Sequence, residues 1–389
     1  MAAVNRWRIA GPLELLVLQP TPFCNLDCTY CYLPERDSKR RMSDATLNRV
    51  FEFVFSSGIV EQGFTVVWHA GEPMVLPIAY YERAIEIVSA HNPGGLQVGH
   101  SFQTNGVLID DAWCEFFKAH RVNVGVSVDG PAFLHDRNRK TRKGGGTHHR
   151  VMEGIRRLQS NEVPFHVISV LTGESLDYAD ELFDFYIENE IREIAFNIEE
   201  IEGPHAGSTL VGAGVDDRFR RFIGRVFELV ARDDSAISVR EFDSLIPMIL
   251  GSGGKDNDFP PTQENAPCAI LSVDCEGNFT TYSPELLGLK SSHYGDFAIG
   301  NVNTDTLASA INSEKFQRMS SDIARGLSKC RETCEYYSLC GGGAPVNKYF
   351  ENGSFDSTET MFCRLNRKAI VDVIVAKLQH PIGAVTDAA

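Results

Sequence analysis

The chain has 389 residues, 43% of them hydrophobic and 23% charged, with a formal net charge of −15 at pH 7. That length accommodates one large α/β domain and a smaller companion; no apolar run approaches bilayer length, which argues against a membrane protein, and the acidic excess argues against a nucleic-acid partner. The ten cysteines follow no secretory segment, since the apolar stretch Leu13 to Leu18 is too short for one, so a reducing cytoplasm and thiols that serve metals rather than disulfides are expected.

From residue 13 to about 200, short β-branched runs alternate with longer amphipathic ones, the pattern of repeated βα units around a parallel sheet. Strands are predicted at Leu15 to Gln19, Phe64 to Trp68, Val98 to Gln103, Val122 to Val128, His166 to Leu171 and Glu193 to Ile198. Helices are predicted between them at Ser43 to Phe55, Ala79 to Ala90, Asp110 to His120, His149 to Gln159 and Tyr178 to Asn189, where apolar residues recur every three or four positions. The fold class is therefore α/β, a partial (β/α)6 TIM barrel over residues 1–252, with its distinctive motifs at the strand ends where such barrels place their chemistry. Gly251 to Gly254 and Pro260 to Pro261 read as a linker into a cysteine-rich domain over residues 253–389, closed by a helix at Arg364 to Leu378 and ending in a frayed tail.

Directly after the first strand comes Cys24-Asn25-Leu26-Asp27-Cys28-Thr29-Tyr30-Cys31. A cubane iron–sulfur cluster takes four ligands, so three cysteines leave one iron open. An open iron can bind the amino and carboxylate groups of S-adenosylmethionine (SAM) and pass an electron into its sulfonium, the cofactor carrying the radical chemistry. A zinc loop or unrelated buried thiols are the alternatives. With Tyr30 before its last cysteine, the triad resembles the radical SAM superfamily.

That resemblance extends along the strand ends. Trp68-His69-Ala70-Gly71-Glu72-Pro73 is similar to the family's Gly-Gly-Glu-Pro motif, which implies that the Gly71 backbone and the Glu72 side chain receive the methionyl ammonium of SAM. Ala70 in place of the first glycine is a mild departure, provided its φ stays negative. Gln103-Thr104-Asn105-Gly106 and Ser127-Val128-Asp129-Gly130-Pro131 resemble the polar contacts of peptide-modifying members, implying that Asn105, Ser127 and Asp129 touch the ribose and carboxylate of SAM. In His135-Asp136-Arg137-Asn138-Arg139, followed by Gly144 to Thr147, Arg139 matches the arginine that pairs with the SAM carboxylate. A phosphate loop is the other reading of those glycines, and no Gly-Lys-Ser/Thr follows them. Tyr30 completes the expected cofactor contacts.

The second region contains Cys330-x3-Cys334-x5-Cys340 and then Cys363, with Gly341 to Gly343 allowing close backbone approach to a bulky group. Four cysteines saturate a cluster, leaving electron relay and scaffolding as its roles; a four-cysteine zinc site has the same ligand count. The arrangement resembles a SPASM domain, with departures. The first gap is one residue longer than usual, Ala344 stands where a cysteine is expected, and Tyr282 stands where a cysteine usually ends the hairpin. Cys268 and Cys275 remain as two ligands for a second auxiliary cluster, so at least one auxiliary 4Fe–4S cluster is expected beside the SAM-binding one. Cys114, on a predicted helix, reads as a core thiol.

Gln19-Pro20-Thr21-Pro22-Phe23, Asn197-Ile198-Glu199-Glu200, Ser283-Pro284-Glu285-Leu286 and the run Cys340 to Lys348 look most like cyclophane-forming maturases of the GrrM/OscB type. That likeness implies Cβ-hydrogen abstraction from a ribosomally made precursor peptide, attack of the radical on an aromatic ring, and loss of an electron and a proton. Glu285 is the candidate base, with a turn or surface carboxylate as its plainer reading. Sulfatase-maturase-like oxidation, thioether formation and a non-catalytic iron–sulfur or zinc scaffold are the alternatives. Expected partners are the precursor peptide and a flavodoxin or ferredoxin electron donor. Because the stretch before Cys24 is too short for a fused recognition domain, a separate leader-binding protein is a further candidate.

Overall fold

The computed structural model describes residues 11–232, 237–251 and 262–379. The six predicted strands are present, none displaced by more than one residue at either end: β1 (Leu15–Leu18), β2 (Phe64–Trp68), β3 (Val98–Thr104), β4 (Asn123–Ser127), β5 (Phe165–Leu171) and β6 (Glu193–Ile198). Each pairs in parallel with the next, and the short β7 (Ser238–Val239) pairs in parallel with β6.

The helices between strands begin where the local chemistry starts them. Ser43 accepts from the Thr46 N–H at the head of α1 (Asp44–Ser56), whose Leu47, Val50, Phe51 and Val54 form a buried stripe at helical spacing. The second helix, α2 (Ile78–His91), follows β2. Asp110 accepts from the Trp113 N–H at the head of α3 (Asp111–His120), which stops where Arg121 turns left-handed at φ +52°. Between the sheet and these helices lies an aromatic cluster: Trp68 and Tyr81 (5.0 Å), Tyr81 and Phe102 (4.7 Å), Phe102 and Phe117 (5.5 Å). Such pairs add about 0.5–1.5 kcal/mol each beyond their burial, and here they fix the ends of β2 and β3. Cys114 is wholly buried on α3, as a core thiol should be.

The composition changes near residue 252, but the sheet does not stop there. The strand β8 (Ile270–Val273) pairs in parallel with β1, Leu15 opposite Ile270, on the side away from β2. It is followed by β9 (Asn278–Thr281), antiparallel to β8, then by the two-stranded ribbon of β10 (Lys290–Ser291) and β11 (Gly295–Asp296), and by β12 (Gly300–Asn301), antiparallel to β9. The main sheet is open, with order β12-β9-β8-β1-β2-β3-β4-β5-β6-β7. The two expected domains thus share one sheet because β1, apolar on both faces, is hydrogen-bonded along both edges. The predicted linker beyond Gly251 and the predicted frayed tail lie outside the described residues.

The closing helix is real but not uniform: a π-helical turn at Arg364–Ala369 leads into an α-helix at Ile370–Gln379. It is tied to the helix Val215–Arg232 by Arg220 to Asp372 (2.8 Å) and Arg364 to Asp216 (3.0 Å). Among the described residues no helix is long and apolar enough to cross a membrane.

Candidate active site and a second cysteine cavity

The loops after β1, β2, β3, β4 and β6 wall a cavity of about 270 Å³, and Cys24, Cys28 and Cys31 all line it. Their loop is pinned to the strand-end segment opposite: Asp27 N–H donates to the Lys140 carbonyl (2.8 Å) and Thr29 N–H to the Asn138 carbonyl (3.0 Å). Neutral donors reach one sulfur, the Leu26 N–H (3.4 Å) and the Asn105 amide (3.8 Å) both pointing at Cys24 Sγ. Burial pushes the Cys24 thiol up to about 12 and the Cys28 thiol up to about 11, so metal coordination is what would hold them as thiolates. Among the described residues no three His, Cys, Asp or Glu side chains are drawn together closely enough for a single metal ion. Three thiols lining one cavity of that size fit a cluster with one open iron.

Gly71, at φ +58°, packs so closely on the cysteine loop that a Cβ would sit 2.5 Å from the carbonyl oxygens of Thr21 and Phe23. Only glycine fits. Ala70 departs from expectation: its φ is +69°, not negative. The turn must bring the Glu72 N–H onto the Phe23 carbonyl (2.8 Å), and the alanine accepts a strain of about 1 kcal/mol to do so. The Glu72 carboxyl, 1% exposed, takes the Met74 N–H (3.0 Å) and the Thr104 hydroxyl (2.7 Å) on Oε1 and the Asn105 N–H (2.8 Å) on Oε2. One acceptor position remains. Its main contact is therefore with the chain itself, tying the end of β2 to the end of β3, while burial pushes it up to about 7 against those hydrogen bonds.

Tyr30, Asn105, Ser127 and Arg139 all lie on the wall. Asp129, expected there, stands behind Arg139: it is 4% exposed, takes Arg139 Nε and Nη2 at 3.0 Å each, and also accepts from the Val170 N–H (2.9 Å) and the Tyr30 hydroxyl. The aspartate thus saturates itself on protein donors and orients the arginine, whose guanidinium lies over the Tyr30 ring at 5.4 Å.

The same cavity also carries acidic side chains. Glu285, in the turn Pro284–Leu286, lines the cavity rather than the outer surface, and Gln19 at the end of β1 holds that turn by donating to the Pro284 carbonyl (3.0 Å). Glu200 and Glu202, in the segment that follows β6, join it, as does Glu199. Burial pushes Glu200 up to about 7, Glu202 well above the carboxylate range and Glu285 up as well. Asn347 donates to Glu200 (2.5 Å) and to Glu202 (3.4 Å). His69 also lines the cavity, its imidazole pushed down to about 4 by burial and so neutral. Sequence reasoning assigned no role to Glu200, Glu202, His69 or Asn347; the run of glutamates directly after a buried strand was the available signal for the first two.

A second cavity, of about 310 Å³, is lined by Cys330, Cys334, Cys340 and Cys363 together with Gly342, Gly343, Ala344 and Lys348. Gly341, Gly342 and Gly343 all have positive φ, which lets the chain curl around it. Cys330 and Cys334 come from the end of the helix Glu314–Thr333 and its cap, and Cys340 ends the short helix Tyr337–Cys340. Cys268 and Cys275 do not converge. They lie beyond opposite ends of β8, Cys268 wholly buried with its N–H on Thr281 Oγ1 (2.6 Å), Cys275 lining a separate recess of about 50 Å³. Tyr282 is packed inside, 2% exposed, with its hydroxyl on Ser320 (2.8 Å). An extended strand between two residues holds them too far apart to share a cluster.

The sequence profile of the "Radical SAM superfamily" matches residues 18–186, which carry the three cysteines and the strand ends described above. The chain belongs to the radical SAM superfamily. It is 44% identical over 377 residues to the uncharacterized protein sll1766 of Synechocystis sp., covering 96% of this chain and 94% of that one. It is 26% identical over 387 residues to the serine-type anaerobic sulfatase-maturating enzyme of Bacteroides thetaiotaomicron, covering 94% and 90%. The structure titled "Native anSMEcpe with bound AdoMet and Cp18Cys peptide" superposes with a TM-score of 0.77 over 95% of this chain and 98% of that one, at 22% identity, and so shares the fold. This radical SAM enzyme uses a 4Fe–4S cluster and SAM.

Proposed function

We propose that this enzyme modifies a ribosomally synthesised precursor peptide, abstracting a Cβ hydrogen and joining that carbon to a nearby aromatic ring. The observation that carries the proposal is one cavity lined both by three cysteines and by the carboxyls of Glu200, Glu202 and Glu285, together with a second, four-cysteine cavity. Cys24, Cys28 and Cys31 would hold the SAM-binding cluster. When bound, the cluster and SAM supply a carbon radical able to take an unactivated hydrogen. Gly71, Asn105, Ser127, Tyr30 and Arg139 would seat SAM, with Asp129 and Glu72 holding the seat in shape. Glu285, with Glu200 and Glu202, would accept the proton released as the ring regains aromaticity.

We assign residues 253–389 to a SPASM-type region whose Cys330, Cys334, Cys340 and Cys363 would hold one auxiliary cluster. The electron would leave by that route, and a flavodoxin or ferredoxin would supply the reducing electron. A peptide substrate is supported by the names of the sulfatase-maturating relative and of the peptide-bound structural neighbour. Sulfatase-maturase-like oxidation of one side chain is the second reading, favoured by end-to-end similarity to the sulfatase-maturating relative.

Co-expression with candidate precursor peptides, followed by tandem mass spectrometry, separates the two readings. Both lose two hydrogens. A cross-link suppresses fragmentation between the joined residues; normal fragmentation there, with the mass loss on one residue, would replace cross-linking by oxidation.

A further inference from the structure

Two consecutive residues on the first turn of the helix Pro345–Asn352 both line the four-cysteine cavity but make different contacts. Asn347 reaches the carboxyls of Glu200 and Glu202 on the substrate side (2.5 and 3.4 Å). Lys348, only 3% exposed, lines the four-cysteine cavity and places its Nζ 3.4 Å from Cys330 Sγ. Two further cations line that cavity: Lys368 pairs with Glu359 and also faces the Cys334 and Cys363 thiols, and Arg367 lies over the Phe362 ring at 5.9 Å and faces the Cys340 thiol. In the barrel cavity Cys24 Sγ receives two neutral donors, while the charges of Arg139 and Arg36 act on Cys28.

We propose that Lys348 is a redox-tuning residue: its ammonium, set against the Cys330 sulfur, raises the potential of the auxiliary cluster so that it accepts the substrate's electron. The inference rests on the assignment of an auxiliary cluster to Cys330, Cys334, Cys340 and Cys363. Reduction adds one negative charge to a cluster, and a cation close to a ligand sulfur favours that form. The balance is complete. The peptide radical formed by ring attack gives one electron to the oxidised auxiliary cluster and one proton to the carboxyls beside Asn347, leaving a closed-shell product and a cluster reduced by one electron. The barrel cluster has to stay the stronger reductant, as cleavage of SAM requires.

The test is an EPR-monitored redox titration of the full chain carrying Cys24→Ala, Cys28→Ala and Cys31→Ala, so that the auxiliary cluster alone gives signal. Adding Lys348→Met should shift the oxidised-to-reduced ratio at fixed potential at least tenfold toward oxidised, a fall of 59 mV for one electron. Lys348→Arg, which keeps the charge, should shift it less. Should Lys348→Met shed iron, Lys348→Gln takes its place in the titration. An unchanged potential in a neutral variant with full iron content overturns the proposal. So does loss of the cluster from both neutral variants, which would make the lysine a structural support. Absence of any cluster in the starting triple variant would instead overturn the auxiliary assignment itself, and the tuning role with it.

Discussion

The two cysteine cavities are built from the same ligand type but differ in what surrounds the sulfur. The first is assembled from strand ends, opens onto polar loops and a buried Asp129–Arg139 pair, and offers three thiols with neutral donors on Cys24. The second is assembled from helix ends and a glycine run, offers four thiols, and brings a buried lysine to Cys330. Ligand number decides whether a cluster can bind substrate; the charge nearby decides which way electrons flow.

The largest effect should come from removing one ligand from each set in turn. Cys28→Ala should abolish formation of 5′-deoxyadenosine, whereas Cys334→Ala should retain SAM cleavage and lose the modified peptide. Equal loss of 5′-deoxyadenosine in both, read by chromatography after reduction, would erase the distinction between the cavities.

Next come the carboxyls between them. Glu285→Gln and Glu200→Gln should each slow peptide modification by about 10²-fold, within the range for a lost general base, while SAM cleavage persists. Because burial holds Glu200 up to about 7, its proton-accepting form grows as pH rises through neutrality. Product formation should climb over that window, and Glu200→Gln should flatten the climb. The same shift opposes folding: the native state keeps a proton that the unfolded chain has released, so Glu200's contribution to stability falls as pH rises from the ordinary 4.5 toward about 7.

Asp129→Ala strands a buried guanidinium, and chemical denaturation should record a loss of roughly 3–5 kcal/mol. A loss below about 1 kcal/mol, the range of exposed pairs, would show that Arg139 finds water or another partner. The smallest effect is a gain. Ala70→Gly should relieve the left-handed strain and stabilise the protein by about 0.5–1 kcal/mol; a destabilised Ala70→Gly would mean that the turn holds the alanine without strain.

Much of this was legible before the structure. Strands and helices recur at periods of 2 and 3.6 that any window of the sequence displays, which is why β1 to β6 fall within a residue of expectation. The cysteine triad and quartet were legible for a similar reason, as ligand sets formed largely by residues close along the chain. The misplaced expectations concern what lies across the fold. The positive φ of Ala70 belongs to a turn that brings the Glu72 N–H onto the Phe23 carbonyl, on a distant loop. Asp129 was assigned to the ligand because its motif resembles the polar contacts of peptide-modifying radical SAM enzymes, yet its partners, Arg139 and the Val170 N–H, had already taken its oxygens. Cys268 and Cys275, seven positions apart, were paired by count, and the strand between them keeps them apart.

Local order in this chain is written in its periodicity and its spacing: a run of βα units, three cysteines that leave an iron open, and four that close one. Tertiary packing alone decided that β8 would complete β1 across the expected domain boundary, that Asn347 would meet Glu200, and that Lys348 would meet Cys330. The physical reason is that backbone geometry sets a period residue by residue, whereas a contact between side chains 147 positions apart, as in the Asn347–Glu200 pair, exists only once the elements carrying them have packed.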